Sequence, residues 1–264
     1  MRPAPRLGDT AQERILRLLA EPPPEQDGSS PYLDLLPPER PATGTPAQRL
    51  MESAFLPRIY ERIWRPIGFN LMKGWPVGPD TGEEHALARS WLALDRSPPP
   101  DAAVLDVACG PGNVTRALAS GVDEKGGLVV GLDVAAGMLA RAAADTSMPQ
   151  VGFVRGDATD LPFRDGTFDA VSCFGALYLF DDPWGALDSM IRVLRPGGRI
   201  AILTSRRPSV PLNRTAGGAL HRLVGLRLFG DREITRFLDG RGLTQIRQRR
   251  YPAMQLVGAR KPDA

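Results

Sequence analysis

Between Val104 and Leu118 a short apolar run, Val104, Leu105 and Val107, meets a glycine turn, Gly110-Pro111-Gly112. A helical pattern then starts near Asn113, a residue suited to cap its first turn. Strand, tight turn and helix start together form a ligand cradle, because glycines let the backbone approach closely and leave amide groups free. A dinucleotide site wants a third glycine where this chain has Thr115, and it must accept a doubly charged pyrophosphate. Asp106 stands just ahead of the turn, where its carboxylate repels pyrophosphate and suits a ligand with an ammonium group. S-adenosylmethionine has an amino acid end, a sulfonium cation and no phosphate. It fits the turn better.

Further strand patterns follow at regular intervals. Gly127–Leu132 ends in Asp133, an acid about 20 residues past the loop, in position for ribose hydroxyls. Val151–Arg155 runs into Gly156-Asp157-Ala158, Phe168–Cys173 forms a fourth run, and Gly198–Thr204 a fifth, entered through Arg195-Pro-Gly-Gly198. Helical patterns at Val114–Ser120, Ala135–Ala144 and Trp184–Leu194 lie between them. Such alternation predicts an α/β fold with a parallel, Rossmann-like doubly wound sheet whose ligands bind at the carboxyl ends of the strands. All three acids fall at that edge.

The ordered set Leu105–Gly112, Gly131–Val134 with Met138, Gly156–Phe163, Asp165–Val171 and Val193–Gly198 resembles class I S-adenosylmethionine-dependent methyltransferases. The nearest branch is the ubiquinone/menaquinone-biosynthesis type, and the likeness covers roughly residues 100–205. The resemblance implies that Asp106, Ala108 and the Gly110–Gly112 loop hold the methionine end, while Asp133 binds the ribose hydroxyls beside Val134. It also implies that Asp157 accepts from the adenine amino group, Ala158 offers a backbone amide and Met138 packs on the ring. Phe174 to Tyr178 would line the methyl-transfer site, and the closing strands Gln245–Arg250 and Ala253–Arg260 would make the last strand antiparallel.

Residues 1–45 are rich in Pro, Gly and Ser and read as a mobile arm, with one short amphipathic helix candidate at Ala11–Leu19. Pro31–Leu36 with Arg49–Ser53 faintly resembles the junction after the zinc module of ribosomal RNA guanine methyltransferases. No Cys or His precedes His85, so that four-ligand zinc site cannot form, and no metal is expected. Residues 46–95 read as a helical lid, with helix candidates from Thr45 and over Gly82–Ala93. Tyr60 matches the lid tyrosine of the branch; core packing of Tyr60 and Trp64 is the competing explanation. Residues 46–264 would then be one methyltransferase domain, with the core at 100–205 and a substrate cap plus closing strands over 206–264.

Methyl transfer from a sulfonium chiefly requires alignment of nucleophile, methyl carbon and sulfur. A base matters only where the nucleophile must lose a proton. Tyr178 sits where many relatives carry a histidine and is the candidate orienting donor; His221, in the cap region, is the candidate base. His85, on an apolar helical face, reads as structural.

The net charge of +3 conceals a basic tail: residues 205–264 hold 12 Arg and 1 Lys against 4 acids. A solvated or edge-protecting role is the simplest reading, and sparse aromatic residues argue against a nucleic acid platform. Two cysteines and the lack of an apolar signal or span predict a cytoplasmic protein, monomeric or homodimeric. The expected activity is methylation of oxygen or carbon on a small-molecule or lipid-like acceptor. RNA methylation and a non-catalytic cofactor-binding scaffold are the alternatives.

Overall fold

A computed structural model describes residues 10–25, 30–36, 80–95, 98–123, 126–207 and 226–263. Its helices are α1 (Ala11–Leu16), α2 (Thr81–Trp91), α3 (Asn113–Ala119), α4 (Ala136–Ala144), α5 (Pro183–Val193) and α6 (Glu233–Gly240). Its strands are β1 (Leu33–Asp34), β2 (Ala103–Val107), β3 (Leu128–Asp133), β4 (Val151–Arg155), β5 (Phe168–Phe174), β6 (Leu194–Ser205), β7 (Thr244–Arg250) and β8 (Met254–Arg260). They form one eight-stranded sheet in the order β1-β4-β3-β2-β5-β6-β8-β7. Pairing is parallel from β1 through β6, and antiparallel between β6 and β8 and between β8 and β7.

The central strands are apolar on both faces, and β2 and β5 are buried along their whole length. That pattern demands helices on each side of the sheet. Successive residues of β4 show which helix takes which face. Phe153 packs with Cys109, Leu139 and Ala142 beneath α4, whereas a Cβ on the next-door Gly152 would stand 2.5 Å from Ile15 Cδ1 of α1. The sheet reverses strand order between β2 and β5, so the parallel strands end together at a crevice suited to a ligand.

Two expectations change here. The described parts of the expected arm are packed against the sheet. Thr10 and Glu13 form a capping box at the start of α1, and Ile15, Leu18, Leu19 and Leu33 are all buried. Arg14 donates to the Gly126 and Gly127 carbonyls, Leu19 bridges Phe163, and Leu33 pairs with Val154. Proline and glycine limit regular structure in this segment, but its few large apolar side chains still find a face to cover.

The second change concerns the expected lid. Helix α2 buries Ala88, and Leu92 and Leu94 follow it into the same core as β2 and β6. Arg89 donates to the Ala117 carbonyl of α3 at 3.2 Å. A Cβ on Gly258 of β8 would meet the Trp91 ring at 2.7 Å, so Trp91 lies on the sheet. Helix α2 is therefore part of a helical layer, because its apolar stripe faces the sheet. Tyr60, Trp64 and residues 46–79 lie outside the described residues, as does His221.

If α1 is integral to the core, Ile15→Ala lowers the unfolding free energy by about 2–5 kcal/mol, as for other buried large-to-small changes. Urea titration of the variant checks this; an unshifted midpoint would mean that the helix does not dock in solution.

Candidate active site

The loop after β2 turns through left-handed backbone at Ala108 (φ 55°), Gly110 (φ 54°) and Gly112 (φ 79°). Glycine adopts this conformation at no steric cost, but Ala108 does so under strain, a condition that clusters at ligand-binding loops. A Cβ on Gly110 would meet nothing within 4 Å, so the loop presents bare backbone to open space at the sheet edge. Gly112 has the opposite surroundings, with Arg116, Ala142 and Phe153 all within 3.3 Å of a virtual Cβ. Gly112, not Asn113, is the N-cap of α3, and Asn113 spends its side-chain oxygen on Arg116.

Asp106 lies inside β2 and is 1 % exposed. Thr115 donates its hydroxyl to Oδ2 at 2.7 Å, and Ser172 of β5 donates to Oδ1 at 2.8 Å. The residue that displaced a third glycine is thus the one that fastens α3 to β2. Asp106 thus faces protein on both oxygens, in the strand just ahead of the loop.

Asp133, at the tip of β3, joins two loops. It accepts from the Gly110 amide at 2.8 Å and from the Ala135 amide at 2.9 Å. With about four lone-pair sites on its two oxygens, the carboxylate keeps acceptor capacity for a further donor. Burial pushes its carboxyl pKa above the ordinary value, while the amides of Ala135, Gly110 and Val134 pull it back in part. Its main-chain carbonyl accepts from Gly156 at 3.1 Å, which places the loop carrying Asp157 and Ala158 beside it. Asp157 accepts on Oδ1 from the amide and hydroxyl of Thr159 at 2.9 and 2.8 Å.

Met138 is buried at the start of α4, and Val134 is half-buried between β3 and that helix. Phe174 ends β5 in the core; Gly175, with φ 76°, then turns the chain into a one-turn helix at Leu177–Leu179. Tyr178 is 7 % exposed, and its carbonyl accepts from the Arg227 amide. The structure therefore brings Asp106, Ala108, Gly110, Gly112, Asp133, Val134, Met138, Asp157, Ala158, Phe174 and Tyr178 to one end of the sheet. A cavity of about 530 Å³ opens beyond Asp157, between residues 19–24 and 35–36 and the 156–162 loop.

Both thiols lie near the acids. Burial raises the Cys109 and Cys173 thiols well above their usual pKa, and the charges of Asp133 and Asp106 push in the same direction. Both effects favour the protonated thiol.

Sequence reading missed two groups that matter. Ser172 was hidden as a polar residue in an apolar strand, although a buried hydroxyl there needs a partner. Arg155 was read only as the end of β4; it donates to the Val134 carbonyl at 3.0 Å and to Asp34 at 2.9 Å.

Residues 105–202 match the family described as "Methyltransferase domain". The chain is 44 % identical over 115 residues to a demethylmenaquinone methyltransferase of Clavibacter sepedonicus, covering 42 % of this chain and 44 % of that protein. It is 38 % identical over 152 residues to a 2-phytyl-1,4-naphtoquinone methyltransferase of Thermosynechococcus vestitus, covering 57 % of this chain and 61 % of the relative. The chain thus spans about half the length of these curated relatives. A putative methyltransferase of Bacillus halodurans shares the fold with TM-score 0.57 at 21 % identity, covering 69 % of this chain and all of that one. A Haemonchus contortus phosphoethanolamine N-methyltransferase 2, solved with S-adenosylhomocysteine, gives TM-score 0.62 at 16 % identity, over 79 % of this chain and 59 % of that one.

The Asp133 carboxyl should titrate above 3.8 in the ligand-free protein, since burial outweighs its amides. A folded-state pKa above the unfolded value means that this group favours the native state most at low pH. That contribution fades as pH rises through the folded pKa. Carboxyl-carbon NMR reads the value directly; a pKa below 3.8 would show that the amides dominate.

Proposed function

We propose that this chain, whose residues 105–202 form a methyltransferase domain of the class I fold, transfers a methyl group from S-adenosylmethionine to a small lipid-like acceptor of the quinol class. The observation that carries the reading is the pairing of bare backbone at Gly110 with an Asp133 carboxylate that still has acceptor capacity. These residues fit the cofactor. Asp133 takes the ribose hydroxyls, the 108–112 loop passes along the methionine end, and Asp106 supports it with its charge. Asp157 and Ala158 hold the adenine edge, and Val134 and Met138 provide its apolar wall.

S-adenosylmethionine supplies an activated methyl group on a sulfonium, so the protein's work is alignment and exclusion of water. Phe174, the last residue of β5, and the turn from Gly175 to Tyr178 form the rim on which an acceptor ring rests. The negative edge made by Asp106, Asp133 and Asp157 favours the cationic cofactor over anionic dinucleotides. Quinol-ring acceptors are supported by the two relatives whose names specify demethylmenaquinone and a phytyl naphthoquinone. A ring carbon next to a hydroxyl becomes nucleophilic once that hydroxyl gives up its proton. His221 is proposed as the group that receives it, with Tyr178 orienting the ring.

No helix among the described residues is long and apolar enough to cross a membrane, and no group of three or more potential ligands could hold a metal. We place the enzyme in the cytoplasm, meeting its acceptor at a lipid surface.

The purified protein should bind S-adenosylmethionine and not NAD in calorimetry. Asp133→Ala should weaken binding about 10- to 150-fold, the loss expected for a charge-assisted contact of roughly 1.5–3 kcal/mol; unchanged affinity would remove Asp133 from the ribose site. With S-adenosylmethionine labelled in its methyl group, label should pass from the cofactor to a solvent-extractable naphthoquinol that lacks the ring methyl. Transfer to ribosomal RNA with a steep loss at rising salt would overturn the acceptor class.

A further inference from the structure

The methyltransferase match begins at residue 105, yet a charged group from far upstream reaches the site. Strand β1 pairs in parallel with β4, setting Asp34 opposite Arg155. The Arg155 guanidinium donates through Nη1 to Asp34 Oδ2 at 2.9 Å and through Nε to the Val134 carbonyl at 3.0 Å. Val134 is the residue between Asp133 and Ala135, whose amide Asp133 holds. Asp34 is itself fixed: its Oδ1 accepts from the Leu36 amide at 3.1 Å, and the Leu35 amide donates to the Arg155 carbonyl at 3.0 Å.

We propose that Asp34 and Arg155 are positioning residues for the cofactor site, clamping the 133–135 turn from the N-terminal segment. A guanidinium is planar with its donors at fixed angles, so serving both partners sets its plane and hence the position of the Val134 carbonyl. Without Asp34, Arg155 turns toward the water that already reaches 25 % of its side chain. The turn then loses the donor that fixes it, and the Asp133 oxygens lose their alignment with Gly110 and Ala135. The same strand end leads to Gly156, which donates to the Asp133 carbonyl, so ribose and adenine contacts share one support. The proposal rests on the reading of Asp133 as the ribose ligand, but the clamp itself exists without cofactor.

The test uses the full chain and the variants Asp34→Asn and Arg155→Lys. Asparagine keeps the shape and the Leu36 bond but not the charge; lysine keeps the charge but not the fork. Amide exchange at Gly110 and Ala135 in the ligand-free protein should quicken at least about threefold in both variants, because their acceptor is no longer held. Calorimetry with S-adenosylmethionine well below the melting temperature should show affinity reduced about tenfold, the loss of one charge-assisted support. KM for the cofactor should rise with kcat retained. A merely structural pair would lower the melting temperature and leave local exchange and affinity unchanged. Unchanged exchange at both amides, with wild-type affinity in both variants, overturns the proposal. Faster exchange in a protein that binds no S-adenosylmethionine, wild type included, would sustain the clamp and refute the methyltransferase reading.

Discussion

A carboxylate in the middle of an apolar sheet is the constraint from which the site's geometry follows. Burying the Asp106 charge is expensive unless its oxygens are satisfied, and the satisfaction comes from hydroxyls on two other elements. Thr115 must therefore stand on the first turn of α3 at hydrogen-bond distance from β2, and Ser172 must stay in register with Asp106 on β5. Once α3 is held there, the chain between Val107 and Asn113 has little length in which to turn. It does so through left-handed backbone, with Ala108 strained and the Gly110 amide aimed at Asp133. Loss of either hydroxyl would leave a buried charge short of a donor and would be felt at the loop before it was felt elsewhere.

Most of the central sheet was legible because its strands are short apolar runs, most of them closed by an acid or glycine, and periodicity of that kind is a local property. The loop–acid–acid sequence was legible for the same reason. What escaped was every relation set by partners distant in the chain. Helix α2 shows an apolar stripe that serves a lid or a layer equally well, and only the sheet surface at Gly258 decides between them. The N-terminal segment reads as irregular because prolines recur along it, while four or five buried apolar side chains determine its fate. Asp34 and Arg155 are ordinary charged residues until parallel pairing of β1 with β4 brings them together.

The basic composition of residues 205–264 resolves into local chemistry among the described residues. Arg206 binds Asp231 and Arg241 binds Asp188, both at 2.6 Å, while Arg260 binds Asp263 at 2.7 Å. Arg227 lies over the rings of Trp184 and Phe229, Arg247 over Trp91 and Arg249 over Tyr251. Guanidinium groups on aromatic faces cover apolar surface while keeping their charge toward water. These arginines serve the closing strands and the helices beside them. A basic composition here is a packing solution for an edge that carries few large aliphatic residues.

Pairing of β1 with β4 also carries a consequence for synthesis. The Asp34–Arg155 contact joins positions 121 residues apart, and Arg14 meets Gly126 and Gly127 across a similar gap. The segment around α1 and β1 leaves the ribosome well before its partners and must therefore wait until β3 and β4 have emerged. At about 5–20 residues per second that interval lasts several seconds, long compared with hydrophobic collapse of a nascent chain. A chain built to wait should be short of long apolar runs and difficult to recruit into a wrong strand. The three prolines, the single Gly28 and the acids between Glu21 and Ser30 satisfy both requirements.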